Sequence, residues 1–126
     1  MVGKLVVLAG FILGAQQASG PTVEKVELCK VVGSGHAFFG HYLEVSGMVV
    51  GDSIDHLALA SSQCGASIPL GFTTETRGHE DVKTLVSALN RGSVNGDFEG
   101  GLIFTEQGAI LRLQVDRVDA LRFARP

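Results

Sequence analysis

Between Gly40 and Gly51 the chain reads His-Tyr-Leu-Glu-Val-Ser-Gly-Met-Val-Val, a strand pattern with one glycine in its middle. Leu43, Val45, Gly47 and Val49 fall on one face and Tyr42, Glu44, Ser46 and Met48 on the other, the period-2 signature of a half-buried strand. A glycine inside such a strand has nothing to pack, so Gly47 marks a sharp coil, a bulge or the close approach of another backbone. A strand that must bend this way belongs to a small sheet that closes on itself.

The flanking segments supply the other strands. Gly51-Asp-Ser-Ile-Asp55 is turn chemistry, and His56–Ser62 alternates Leu57 and Leu59 with small residues, so it predicts a hairpin partner. Ala66–Phe72 predicts a third strand, at an edge or with a bulge, because Pro69 has no N–H for a ladder. His79–Arg91 predicts the main helix. Val82, Leu85, Val86 and Leu89 form its apolar stripe, Glu80 and Asp81 suit its positive end, and Gly92 follows its last turn. Val94, Gly96 and Phe98 then alternate with Asn95, Asp97 and Glu99, which read as an exposed acidic face; Gly101–Phe104 continues this strand. In Ala109–Phe123, Leu111, Leu113 and Val115 share a face, while Val118 and Ala120 continue one residue out of phase, which predicts a β-bulge near Asp116 and Arg117. Ahead of the first strand, Val23, Val26 and Cys29 lie at helical spacing behind Thr22, a candidate N-cap, so Thr22–Val32 reads as a short helix, although Val26 and Leu28 also alternate with Lys25 and Glu27 as in a strand.

Three strands, a helix and two strands, with bends at Gly47 and Gly96, is the order of the five-stranded Greek-key barrel called the OB-fold. The expected class is therefore all-β with one main helix, β-β-β-α-β-β, preceded by a short N-terminal helix. The 17 glycines and the absence of tryptophan suit such a turn-rich protein.

Residues 1–18 read as a signal peptide: Lys4, the apolar run Leu5–Gly14 and the small-residue exit Ala15–Gly20, with cleavage expected after Ala18. The run is shorter than the ~20 residues that span a bilayer, although retention as an anchor is the alternative. Residues 19–126 then form one domain, periplasmic or secreted and free of the membrane after cleavage. Its loss of Lys4 leaves 9 basic against 13 acidic residues. Cys29 and Cys64 are the only cysteines; in an exported chain an even pair favours a disulfide over two buried thiols.

Phe39-Gly-His-Tyr-Leu-Glu-Val-Ser-Gly47, Cys64, and Val94-Asn-Gly-Asp-Phe-Glu-Gly100, together with the leader and the cysteine-bearing first segment, resemble a group of small exported bacterial OB-fold proteins. The resemblance covers about residues 22–123 and implies a binding or envelope-stress domain. Its motifs are fold-making glycines and apolar positions, so no catalytic residue is carried over.

The residues themselves point away from catalysis. The four histidines, His36, His41, His56 and His79, have none of the close spacings of a zinc site, and Glu80 and Asp81 diverge on a helix. The expected function is a non-enzymatic binding module without a cofactor, for a small ligand, an oligosaccharide or a protein partner. By the usual placement of OB ligands, the candidate residues are Asp52, Asp55, His56, Arg77 and Gln107 in the inter-strand loops. Single-stranded nucleic acid is the alternative, through Arg77 or Arg112, but the net charge of -3 and the single tyrosine speak against it. A metal or thiol enzyme using His36, His41 or Cys64 is the other.

Overall fold

Residues 23–123 are described in the computed structural model. β2 (Tyr42–Val50) is the long strand expected from its alternation, and Leu43, Val45 and Val49 are buried. Along one edge it pairs with β5 (Val94–Phe104) from Tyr42 to Val49. Along the other it changes partner: β1 (Glu24–Glu27) lies parallel to residues 43–46 and β3 (Ala58–Ala60) antiparallel to residues 48–50. Gly47 is the crossing point. A Cβ there would stand 2.9 Å from the Ala60 carbonyl oxygen and from the Leu59 side chain, so any larger residue would push β3 off the edge.

The sheet closes through β4 (Ser67–Phe72) and β6 (Ile110–Phe123). β3 pairs antiparallel with β4, β4 parallel with β6, β6 antiparallel with β5, and β5 returns to β2. This closed ring of five strands, with β1 appended outside it, is an OB-like barrel. Gly47 and Gly96, the two predicted bends, are direct partners across the β2–β5 ladder, so both strands coil at one point. Leu43, Val45, Leu59, Ile68, Phe98, Leu113 and Val115 fill the interior.

Pro69 is tolerated for the expected reason. Leu70 N–H donates to Leu57 O, so its neighbour Pro69 turns its nitrogen away from β3, toward β6, before the β4–β6 ladder begins at Leu70 and Leu113. The predicted bulge in β6 is present: Glu99 pairs with Arg117 and Gly100 with Val115, leaving Asp116 extra. Two more irregularities, at Asp119 and Leu111, were not foreseen. They move Leu111 off the interior face, where it is 44% exposed, and bring Leu121 rather than Ala120 against the core.

The main helix, α3 (Glu80–Leu89), begins after His79 and ends two residues short of Arg91. Val82 and Leu85 are buried, but Val86 is exposed, because Ala88 and Leu89 take the next inward positions. Asp81 ties this helix to β6. Its carboxylate accepts from the Val118 N–H at 2.7 Å, in the irregular stretch of β6, and from the Val82 N–H at 2.8 Å. A further helical turn, α2 (Thr74–Arg77), occupies the segment read as loop, capped by the Thr73 hydroxyl, which accepts from Thr76 N–H.

The first segment departs most from expectation. In place of one helix, β1 precedes α1 (Leu28–Gly33), and a short 3-10 turn spans Gly35–Phe38. Lys25 and Glu27 alternate with Val26, and the free edge of β2 supplies the ladder that an isolated segment lacks. Helical spacing applies only from Leu28, which is buried with Val31. The Thr22 cap lies outside the described residues. The expected strand at His56–Ser62 is likewise trimmed to Ala58–Ala60, with His56 closing a 3-10 turn over Ile54–His56. Cys29 and Cys64 are bonded, joining α1 to the β3–β4 turn.

Candidate functional site

The loop residues singled out from sequence fall at two ends of the barrel. The end of β2 pairs with Val94 and its start with Gly101, so the β2–β3 loop and the β5–β6 turn lie at opposite ends of β2. Asp52, Asp55, His56 and Arg77 are together at the first end. The Arg77 guanidinium binds the Asp55 carboxylate, and its Nε donates to Phe72 O at 3.5 Å. His56 Nδ1 is 3.1 Å from Ser53 Oγ and 3.7 Å from Asp52 Oδ1. Serine and aspartate thus address the same ring nitrogen, whereas a nucleophilic triad needs one on each. Asp52 and His56 side chains are 88% and 77% exposed. This cluster organises a loop and has no enclosed reaction space.

Gln107 belongs to the other end, where the barrel is incompletely zipped. β4 and β6 pair only from Leu70 and Leu113 onward. The stretch Ser67–Pro69 and the stretch Gly108–Ile110 stand apart, with Val32–Ala37 beside them, around a groove of about 660 Å³. An aromatic cluster adjoins it through His36, one of its lining residues. His36 stacks on Phe104 with ring centroids 6.0 Å apart, and Phe39 lies 5.6 Å from Phe104. Phe39 is 70% exposed, an unusual cost for a phenylalanine on a folded surface.

The outer face of β2, β5 and β6 holds a third arrangement. Glu44 and Glu99 are direct cross-strand partners, each only 7% exposed, and their carboxylates lie within 4.8 Å of each other and of Asp119. The exposed acidic face expected at Asp97 and Glu99 is therefore corrected. Neighbouring side chains cover Glu99, and the Arg117 guanidinium reaches it at 3.9 Å. Burial pushes the Glu44 carboxyl above the usual glutamate range; Lys25 at 3.7 Å opposes this and a hydrogen bond with Asp119 adds to it. Asp97 is held below the ordinary aspartate range, chiefly by hydrogen bonds from Arg122 and also by one from Ser46 Oγ at 2.6 Å. Tyr42 is pushed up to about 12 by burial and by Asp116. Three carboxylates at this separation have the donor set of a hard cation, but Lys25 and Arg117 already offset two of their charges.

The residues of the two alternatives are engaged separately. Cys64 is bridged to Cys29, and no cysteine is free among the described residues. His41 Nδ1 is 3.1 Å from Glu24 Oε1, and His36 is in the aromatic stack. Arg112 donates to the Gln114 side chain at 2.8 Å and lies over Gly71. The outer side chains of β3 and β4 beside it, Ala58, Ala60, Ser67 and Pro69, offer no ring on which a base could stack.

Sequence reasoning missed the aromatic cluster because Phe39 and Phe104, far apart in the chain, meet only in the folded structure. It missed the carboxylate pair although a signal existed: setting Gly47 opposite Gly96 in an antiparallel ladder places Glu44 opposite Glu99. Compared with protein-family models and with curated protein sequences, the chain matches none.

Proposed function

We propose that this chain is an exported OB-fold binding module without catalytic activity, and that its ligand is a neutral oligosaccharide held in the groove between β4 and β6. The observation that carries this reading is the aromatic cluster adjoining that groove. His36 lines the groove and stacks on Phe104, against which the exposed Phe39 packs, so apolar ring faces for the C–H side of a sugar stand next to the hydroxyl groups of Ser34 and Ser67 in the lining. The groove opens to solvent and suits a chain entering from the side rather than an enclosed small molecule. The bridged cysteines fit an oxidising compartment, which with the leader supports a periplasmic or secreted location. Against a nucleic-acid ligand stand the guanidiniums of Arg77 and Arg112, which are engaged by Asp55 and Gln114.

Thermal unfolding of the chain in the presence of N-acetylglucosamine and glucose oligomers tests the proposal. At about 100 times its dissociation constant a ligand stabilises by about 2.7 kcal/mol, a rise of several degrees in Tm. Phe39→Ala is expected to abolish that rise while leaving the unliganded Tm unchanged. A rise that survives Phe39→Ala, or none with any oligomer, refutes the groove as a sugar site.

A further inference from the structure

β1 is a strand with one edge used. It pairs with β2 through Glu24–Leu43 to Glu27–Ser46, and among the described residues no strand pairs along its second edge. The five barrel strands pair in a closed ring, which is left unzipped only at the groove between β4 and β6. The side chains on β1 show what this edge accepts. Lys25 reaches Glu44, so Lys25 and Glu27, two residues apart, lie on the outer face of the sheet, while Val26 between them packs against the core. The Lys25 side chain is 82% exposed, and Glu27 has no ion pair among the described residues.

We propose that a second copy of this chain adds its own β1 antiparallel to this edge, about a twofold axis through Val26. A twofold axis normal to the sheet keeps outer face with outer face, so direct partners must come from the same face of the pleat. An axis on Lys25 sets lysine against lysine, and an axis on Glu27 sets glutamate against glutamate. The axis on Val26 sets Val26 against its own copy and Lys25 against Glu27 twice, once on each side. Opposite charges directly across a ladder attract and like charges repel, so charge selects this one register. A short, charged edge is the usual protection against open-ended pairing. Here the same charges permit one closed, self-complementary pair, in which each free edge is consumed by the other. Two barrels then share a continuous outer sheet running from β5 through β2 and β1 to the second copy.

Sedimentation equilibrium of the full chain, as recovered after expression with its own leader, tests this at concentrations up to ~1 mM and at low and high salt. The expected result is a reversible monomer–dimer equilibrium that weakens with salt. Glu27→Lys brings like charges together at both ends of the ladder and is expected to weaken dimerisation about tenfold or more without moving Tm. Adding Lys25→Glu to it restores the opposite-charge pairs and is expected to recover the dimer. A chain that stays monomeric throughout overturns the proposal, as does a Glu27→Lys dimer as tight as the parent. A double variant that folds but stays monomeric overturns the register.

Discussion

Glu44→Gln is expected to stabilise this protein above the glutamate titration range and to have little effect below it. Glu44 sits directly opposite Glu99 on β2 and β5, 7% exposed, with Asp119 completing a group of three carboxylates. Its folded pKa is raised, chiefly by burial, above that of an unfolded chain. The folded state therefore keeps the Glu44 proton longer than the unfolded state does. That contribution to stability is full below the unfolded glutamate pKa and is lost as pH rises through the raised folded one. Glutamine has the shape of the protonated acid and can donate to Asp119 as that acid does, but it never ionises. A like-charged pair directly across a ladder costs roughly 0.2–1 kcal/mol, and the Lys25 pair forfeited by the substitution is worth about the lower part of that range, since its lysine is largely exposed. The net gain at pH 8 is about 0.5 kcal/mol, roughly 2–4 °C in Tm for a domain of this size. Thermal unfolding of both proteins from pH 4 to pH 8 reads the difference, in which the titration of the other carboxylates largely cancels. If the variant is the less stable one at pH 8, or if the difference does not grow with pH, the carboxylate group is not strained as described.

Two further outcomes follow from the same ladder and from the bridge. Asp97→Asn removes the ion pair with Arg122 and leaves Ser46 a neutral amide oxygen in place of the carboxylate, and is expected to cost about 1 kcal/mol at pH 7. Because the folded pKa of Asp97 is depressed, its contribution is present above the unfolded aspartate pKa and lost as pH falls through the folded one, so urea midpoints of the two proteins should converge in acid. The Cys29→Ser/Cys64→Ser variant opens a loop with a sequence separation of 35 and is expected to lose about 4 kcal/mol, read as a lower urea midpoint that added reductant no longer changes.

The chain by itself determined the barrel. The alternation in β2, the glycines at its bend and at the bend of β5, and the apolar stripe of α3 are local patterns, and each has one stable use in a small closed sheet. Val118 out of phase with Val115 was enough to locate a bulge, because a period of two cannot slip without an extra residue. What the tertiary structure alone decided was partnership. β1 is a strand because β2 leaves an edge open beside it; the alternation of Val26 and Leu28 with Lys25 and Glu27 allowed a strand without choosing it over a helix. Glu99 has the sequence environment of an exposed residue and is covered because Glu44, Asp119 and Arg117 arrive from other strands. Asp52, Asp55, His56 and Arg77 converge while Gln107 lies at the far end, since the barrel's closure, not loop chemistry, sets which turns are neighbours. Alternation and turn residues act over a few positions, and a site is made by contacts dozens of residues apart; the first can be read along the chain, and the second exists only once the ladders have set their register.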